Sequence, residues 1–307
     1  MDKIEVSMPL YEARLSLTGR CNHQCIYCGP FSDGKADKGY KDLSLDQIRD
    51  IASLLKDKGL HIQLTGGEPT LRKDLAEIVE ILSNNGITDI GLTTNGSMIS
   101  PEYAQRLLGA GISDFHIHVP SLNYDVFRKT TKDKRQKVVD VIIQTALYLK
   151  REGEGVEFNT PITQLNLPTV PQLIDFCYSN EINLKLIEEV NLANEQVTEG
   201  QIIQTFEDWF KNRGLELDET KINKRYGRIY DLGNFSFRVA PATKGLVDFL
   251  NKKNEAILYD GRYWIGGKDN RFVFTPSYFL KTKTGSFKGL ERNLNETIQI
   301  YNDHGKK

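Results

Sequence analysis

The chain has 307 residues, 39% of them apolar and 26% charged, with 25 Gly and 10 Pro; this suits one large α/β barrel, or a smaller domain plus an extension, and excludes wholesale disorder. The formal charge of −1 gives no broad electrostatic footprint for DNA, RNA or anionic lipid, so neither nucleic acid nor membrane is expected as a partner. No stretch approaches the ~20 apolar residues of a membrane span and no signal-peptide core is visible, so the expected location is cytoplasmic.

From the N-terminus to residue 190, strand-like and helix-like patterns alternate with short connections. Strands are predicted at Glu12–Thr18, His61–Thr65, Asp89–Asn95, Ser113–Val119, Gly155–Ile162 and Asn183–Val190. Amphipathic helices are predicted near Ser44–Lys58, Lys73–Asn84, Pro101–Ala110, Lys137–Arg151 and Thr169–Ser179. Ser44, with Asp46 in the first turn, and Ser100 before Pro101 are helix starts; Asn85-Gly86 and Ala110-Gly111 are stops. Repeated βα units imply parallel strands. They point to an α/β fold built on an open, partial (β/α)6 TIM-type barrel, with its chemistry at the C-terminal ends of the strands. A doubly wound open sheet is the competing arrangement.

Beyond Asn191 the rhythm changes. A helix is predicted over Thr198–Asn212, then short β-prone runs at Phe235–Val239, Ala256–Leu258, Tyr263–Ile265 and Arg271–Phe274. The expected division is a barrel over 1–190 and a C-terminal α+β extension over 191–307 that caps it, with Arg225, Arg228 and Arg238 as candidate substrate contacts.

Three of the four cysteines fall in CNHQCIYC, as Cys21, Cys25 and Cys28, directly after the first strand. Loops this short make poor structural disulfides, and clustered cysteines read as metal or redox ligands. Three thiolates can hold three irons of a 4Fe–4S cluster and leave the fourth iron open, as a catalytic centre requires. Structural zinc would want a fourth ligand; His23 lies too close in sequence, and Cys177 sits among apolar residues at helical spacing and reads as core.

The spacing Cys-x3-Cys-x2-Cys, with Tyr27 before the third cysteine, resembles the signature of the radical S-adenosylmethionine (SAM) superfamily. Thr65-Gly66-Gly67-Glu68-Pro69 follows the second strand: glycines let backbone approach a ligand closely, and a carboxylate can pair with an ammonium, although a plain βα turn would look similar. Thr93-Thr94-Asn95-Gly96 ends the third strand, Asn159 lies in the fifth and Leu186-Ile187-Glu188 ends the sixth. In order and spacing these resemble the MoaA-type GTP cyclase branch of the superfamily, from about Tyr11 to Val190.

The resemblance implies one 4Fe–4S cluster on Cys21, Cys25 and Cys28, and SAM held by Tyr27, Gly66, Gly67, Glu68, Thr94 and Asn159. It also implies a flavodoxin- or ferredoxin-type one-electron donor and hydrogen abstraction from a substrate. Three departures argue against GTP as that substrate. No cysteine follows Cys177 to build the cyclases' second cluster; His61 and Gln63 stand where they carry basic residues; and His118-Val119-Pro120 replaces a Ser-Leu-Asp segment. Arg14 and Lys185 match two of their arginines, but a triphosphate needs more fixed cations.

Alternation along the strands turns Arg14, Ser16, His61, Gln63, His116, His118, Glu157, Asn159 and Lys185 inward. Burying so many polar groups in a closed apolar core would cost several kcal/mol each, so a ligand-filled cavity is expected. Arg14, His61, Gln63 and Glu157 are candidate substrate contacts, and His116, His118 and Lys185 candidate catalytic groups. The expected substrate is a small polar molecule of a biosynthetic pathway: a nucleoside, aminosugar or amino-acid derivative. The alternatives are a maturase acting on a ribosomal peptide, whose usual N-terminal recognition domain is not seen ahead of the first strand, and a non-catalytic metal-binding protein.

Overall fold

Period-two burial organises the molecule. In β-strands the apolar side chains turn to one face and the polar ones to the other, and the helices return over the apolar face. The computed structural model describes residues 12–28, 40–188, 197–215, 228–240, 262–268, 271–275, 283–285 and 287–304. In chain order these form β1 (Glu12–Ser16), β2 (Tyr40–Lys41), α1 (Leu45–Leu55), β3 (His61–Thr65), α2 (Leu75–Asn84), β4 (Ile90–Thr94), α3 (Pro101–Ala110), β5 (Asp114–His118), α4 (Tyr124–Thr131), α5 (Val138–Arg151), β6 (Gly155–Ile162), α6 (Val170–Ser179) and β7 (Asn183–Glu188). Then follow α7 (Glu199–Lys211), β8 (Arg228–Asp231), β9 (Ser236–Ala240), β10 (Arg262–Lys268), β11 (Arg271–Thr275), β12 (Lys283–Gly285) and α8 (Phe287–His304).

The central strands run β1-β3-β4-β5-β6-β7, every neighbour parallel. This order never reverses. Right-handed crossovers therefore put the helices on one face, as in a partial barrel, and give none of the strand reversal that defines a doubly wound sheet. The C-terminal strands extend both edges: β10 pairs parallel with β1, and β9 pairs parallel with β7. The ladder of described strands ends at β12 on one side and β8 on the other and does not close.

The core lies between the helices and the outer sheet face. Leu15, Leu64, Leu92, Phe115, Ile117, Phe158 and Leu184 are fully buried against Ile48, Ile51, Ile78, Val79, Leu107, Ala146 and Ile174. Cys177 belongs here, fully buried, with its thiol pKa pushed up by that burial. The core continues past β7 as an aromatic cluster in which Phe206 of α7 lies 5.2 Å from Phe237 and 4.5 Å from Tyr230, ring to ring.

The helix starts follow the sequence signals. Ser44 and Gln47 form a capping box, and Ser100 Oγ accepts from Tyr103 N at 3.2 Å with Pro101 in the first turn. Helix α4 is not anticipated by the sequence: in eight residues, Phe127 is its one fully buried apolar side chain. The predicted strand at Ala256–Leu258, the 190/191 division and Arg225 lie outside the described residues.

Candidate active site at the cysteine loop

The loop from Leu17 to Cys28 is gripped from two sides. On one side Gly67 N donates to Thr18 O at 2.7 Å and Glu68 N to Arg20 O at 2.8 Å. Gly66 adopts φ 141°, and a Cβ there would lie 2.5 Å from Thr18 O; a Cβ on Gly67 would fall on Arg20 O. The two glycines are thus required by backbone-to-backbone contact with the cysteine loop itself. On the other side Gln24 N and Ile26 N donate to Thr131 O and Thr130 O, the last carbonyls of α4, at 2.8 and 2.9 Å. Below the loop, the buried Arg72 donates to Leu17 O and Leu43 O at 3.0 and 2.5 Å and holds Asp74 through two bonds of 2.9 and 2.7 Å.

The three loop cysteines are free thiols. Cys25 is buried and shares a hydrogen bond with Cys28; that bond, and then burial, push its pKa far up. Burial foremost raises that of Cys21, whose sulfur accepts from His23 N at 3.4 Å and is also bonded by the Asn95 side chain. A metal that binds clustered thiols displaces their protons and leaves thiolates as its ligands. Three sulfur donors on one short loop are the donor set for an iron–sulfur cluster with one open iron. His23, set aside in the sequence, sits beside them. Its Nε2 bonds Asp133 Oδ2 at 2.9 Å, and ring nitrogens of His23 and His118 lie within 4.8 Å of each other and of the Cys25 sulfur.

Glu68 ties the strand ends together. It is 1% exposed; Oε1 accepts from Thr70 N, Thr70 Oγ1 and Thr94 Oγ1 at 3.0, 2.6 and 2.7 Å, and Oε2 from Asn95 N at 2.6 Å. All four donors are neutral, and burial raises the carboxyl pKa despite them. Asn95 continues the network: its Nδ2 donates to Asn22 Oδ1 at 2.8 Å, and Asn22 Nδ2 to Ser97 Oγ at 3.0 Å. Asn22 and Asn95 escape sequence reasoning; the TTNG segment drew attention to the site, but to Thr94 alone.

Inside the sheet the polar residues fall into two groups. Nearer the cysteines, one register row runs His118, Asn159, Lys185, Arg238 across β5, β6, β7 and β9. Tyr27 hydroxyl hydrogen-bonds His118 Nε2, with ring centroids 5.5 Å apart, and so links this row to the loop. Desolvation, followed by the neighbouring His23, pushes the His118 pKa down to about 3, leaving a neutral imidazole. Asn159 Oδ1 and Arg238 Nε are buried and have no hydrogen-bond partner among the described residues.

Toward the N-terminal ends lies a second network. Asp89 Oδ1 meets His61 Nδ1 at 2.7 Å, His61 Nε2 meets Gln63 Oε1 at 2.8 Å, and Gln63 Nε2 reaches Thr93 Oγ1 at 2.8 Å. His116 pairs with Asp114 at 2.7 Å and faces Glu157 at 3.7 Å, while Arg14 pairs with Glu12. Gly91 makes room for this packing, since a Cβ there would lie 2.6 Å from Gln63 Oε1. Arg14, His61, Gln63, His116 and Glu157 therefore stand together, apart from the cysteine end; along β3 alone, His61 to Thr65 spans ~13 Å.

Comparisons with known proteins agree with this geometry. The family model described as the radical SAM superfamily matches residues 15–177. A probable GTP 3',8-cyclase of Methanococcus maripaludis is 32% identical over 183 residues, 59% of this chain and 60% of that protein. The chain thus spans about three-fifths of the length of the curated relatives it matches. In fold it is similar to Streptococcus suis SuiB, with TM-score 0.64 and 17% identity over 92% of this chain and 64% of SuiB. It is also similar to SuiB bound to S-adenosylmethionine, with TM-score 0.57 and 18% identity over 77% and 51% of the two chains.

Proposed function

The chain belongs to the radical SAM superfamily, and from that premise we propose that it is a cytoplasmic biosynthetic enzyme that removes a hydrogen atom from a small polar substrate: a nucleoside, aminosugar or amino-acid derivative. The superfamily's cofactors are a 4Fe–4S cluster and SAM; Cys21, Cys25 and Cys28 would hold the cluster here. When bound, the pair supplies a one-electron reductive cleavage of SAM, whose adenosyl radical takes the substrate hydrogen.

The protein's own residues place and seclude these groups. Gly66 and Gly67 let the TGGEP turn press against the cysteine loop, so the two segments form one unit. Glu68 has no cation among its four hydrogen-bond donors, and the ammonium end of SAM would supply one to its carboxyl. Tyr27 orients a neutral His118, which can accept or donate a hydrogen bond without carrying charge. Lys185 and Arg238, register neighbours on β7 and β9, add two cationic residues to the row that holds His118 and Asn159.

The observation that carries the reading is Asn159 Oδ1, a buried acceptor with no donor in the row joined through His118 to the cysteine loop. Such an atom costs about 1–3 kcal/mol unless a ligand supplies the missing bond. GTP is not proposed: His61 and Gln63 are committed to each other, and His61 also to the Asp89 carboxylate, an unsuitable grip for a triphosphate. The test is anaerobic turnover of reconstituted protein with SAM, dithionite and deuterated candidate substrates. Deuterium should appear in the 5′-deoxyadenosine formed with a nucleoside, aminosugar or amino-acid derivative. Transfer only from a peptide, or from none of these, would defeat the proposal.

A further inference from the structure

The surface joining α4 to α5 is strongly cationic. Residues 128–137 read Arg-Lys-Thr-Thr-Lys-Asp-Lys-Arg-Gln-Lys, and all six cations, Arg128, Lys129, Lys132, Lys134, Arg135 and Lys137, are exposed. The one acid, Asp133, is 5% exposed and turned inward onto His23 and Arg135. In a chain of net charge −1 this is a local concentration. Arg128 has Asp125 at 3.7 Å; among the described residues Lys129, Lys132, Lys134 and Lys137 have no ion-pair partner. Arg128, Lys129, Lys132 and Lys134 line a shallow depression of about 190 Å³.

Helix stability does not account for all of this charge. Arg128 and Lys129 suit the C-terminus of α4, but Lys134, Arg135 and Lys137 crowd the N-terminus of α5, where the helix dipole favours acids. The location is informative. Thr130 O and Thr131 O, within this strip, accept the backbone bonds of Ile26 and Gln24 on either side of Cys25, and Asp133 joins Arg135 to His23. The cations therefore sit on the same short structure that grips the cluster loop.

We infer that this strip is the docking surface for an acidic one-electron carrier protein, flavin- or iron–sulfur-bearing, whose oxidation by one electron reduces the cluster by one electron. The inference rests on the proposed function, which requires that electron from outside. Opposite charge speeds encounter and orients the carrier over the loop, and its effect weakens as salt rises.

The experiment compares two electron sources for reconstituted enzyme normalised to iron content: dithionite, which needs no docking, and a reduced acidic ferredoxin. The variants are K129E/K132E/K134E and K129Q/K132Q/K134Q. With ferredoxin, 5′-deoxyadenosine formation should fall tenfold or more in the Glu variant and less in the Gln variant. With dithionite both should stay within twofold of wild type. The wild-type ferredoxin rate should drop several-fold between 20 and 200 mM NaCl, and the variants' rates should respond weakly. Unchanged ferredoxin-driven rates in both variants would overturn the inference, as would equal losses with both electron sources. So would an RNA oligonucleotide that binds the strip more tightly than the ferredoxin does. A wild type inactive even with dithionite would instead sink the proposed function, and this inference with it.

Discussion

Thr94 Oγ1 donates a 2.7 Å hydrogen bond to Glu68 Oε1, joining the turn after β3 to the end of β4 inside a site where Glu68 is 1% exposed. The bond makes the TGGEP and TTNG segments one structure. Replacing Glu68 with Gln would turn an amide N–H toward donors that now meet a carboxylate. We expect Glu68→Gln to destabilise the apo-protein by about 1–3 kcal/mol and to abolish measurable SAM binding. Thermal unfolding and equilibrium dialysis of the reconstituted protein check the two effects; unchanged SAM affinity would remove Glu68 from the site.

Gly67 has no room for a side chain, because its Cβ position is occupied by Arg20 backbone. Gly67→Ala should therefore displace the cysteine loop and lower iron content after reconstitution severalfold. Gly109→Ala, in α3 with nothing within 4 Å, should keep full iron content and gain about 0.4–1 kcal/mol of stability. Iron per chain and the thermal midpoint separate the two.

Asn159→Leu offers a split result. Removing an unpaired buried acceptor should leave the apo-protein as stable as wild type or slightly more so, while SAM or substrate affinity falls. Loss of stability together with affinity would show instead that Asn159 has a structural role.

His61 should make stability depend on pH. Burial lowers its pKa, but hydrogen bonds to Gln63 and Asp89 and the field of Asp114 more than offset this, so the net shift is upward. A folded-state pKa above the ordinary value of about 6.5 gives a contribution fully present below that pH and lost as pH rises through the folded value. The stability difference between wild type and His61→Gln should be larger at pH 6 than at pH 8.5, read from denaturant midpoints. A difference independent of pH would contradict the pairing.

Much of this was legible in the sequence because the signals are local. Alternation along β3 and β5 put Gln63, His116 and His118 on the inner face, where they lie, and cysteine spacing marked the loop without reference to any partner. Helix α4 was missed because Tyr-Asp-Val-Phe-Arg-Lys-Thr-Thr carries too few apolar residues to show a helical stripe; its place is earned by backbone bonds to Gln24 and Ile26. In the sequence the glycines of TGGEP suggest room for a ligand, whereas the space is taken by residues 17–21, a contact between segments about 50 apart in sequence that no local pattern encodes. The pairing of β9 and β10 with opposite edges of the sheet is hidden for the same reason. Asn22 and Asn95 carry no signature as single residues, and their meeting needs the folded strand ends.

The central claim is that the three loop thiols hold the cluster at which SAM is cleaved. The most direct measurement is 5′-deoxyadenosine formed per chain, with SAM and dithionite under anaerobic conditions, by wild type and by Cys21→Ala, Cys25→Ala and Cys28→Ala. Wild type should form the product, and each substitution should reduce it to background. Product from any of the three variants at a rate near wild type would contradict the account.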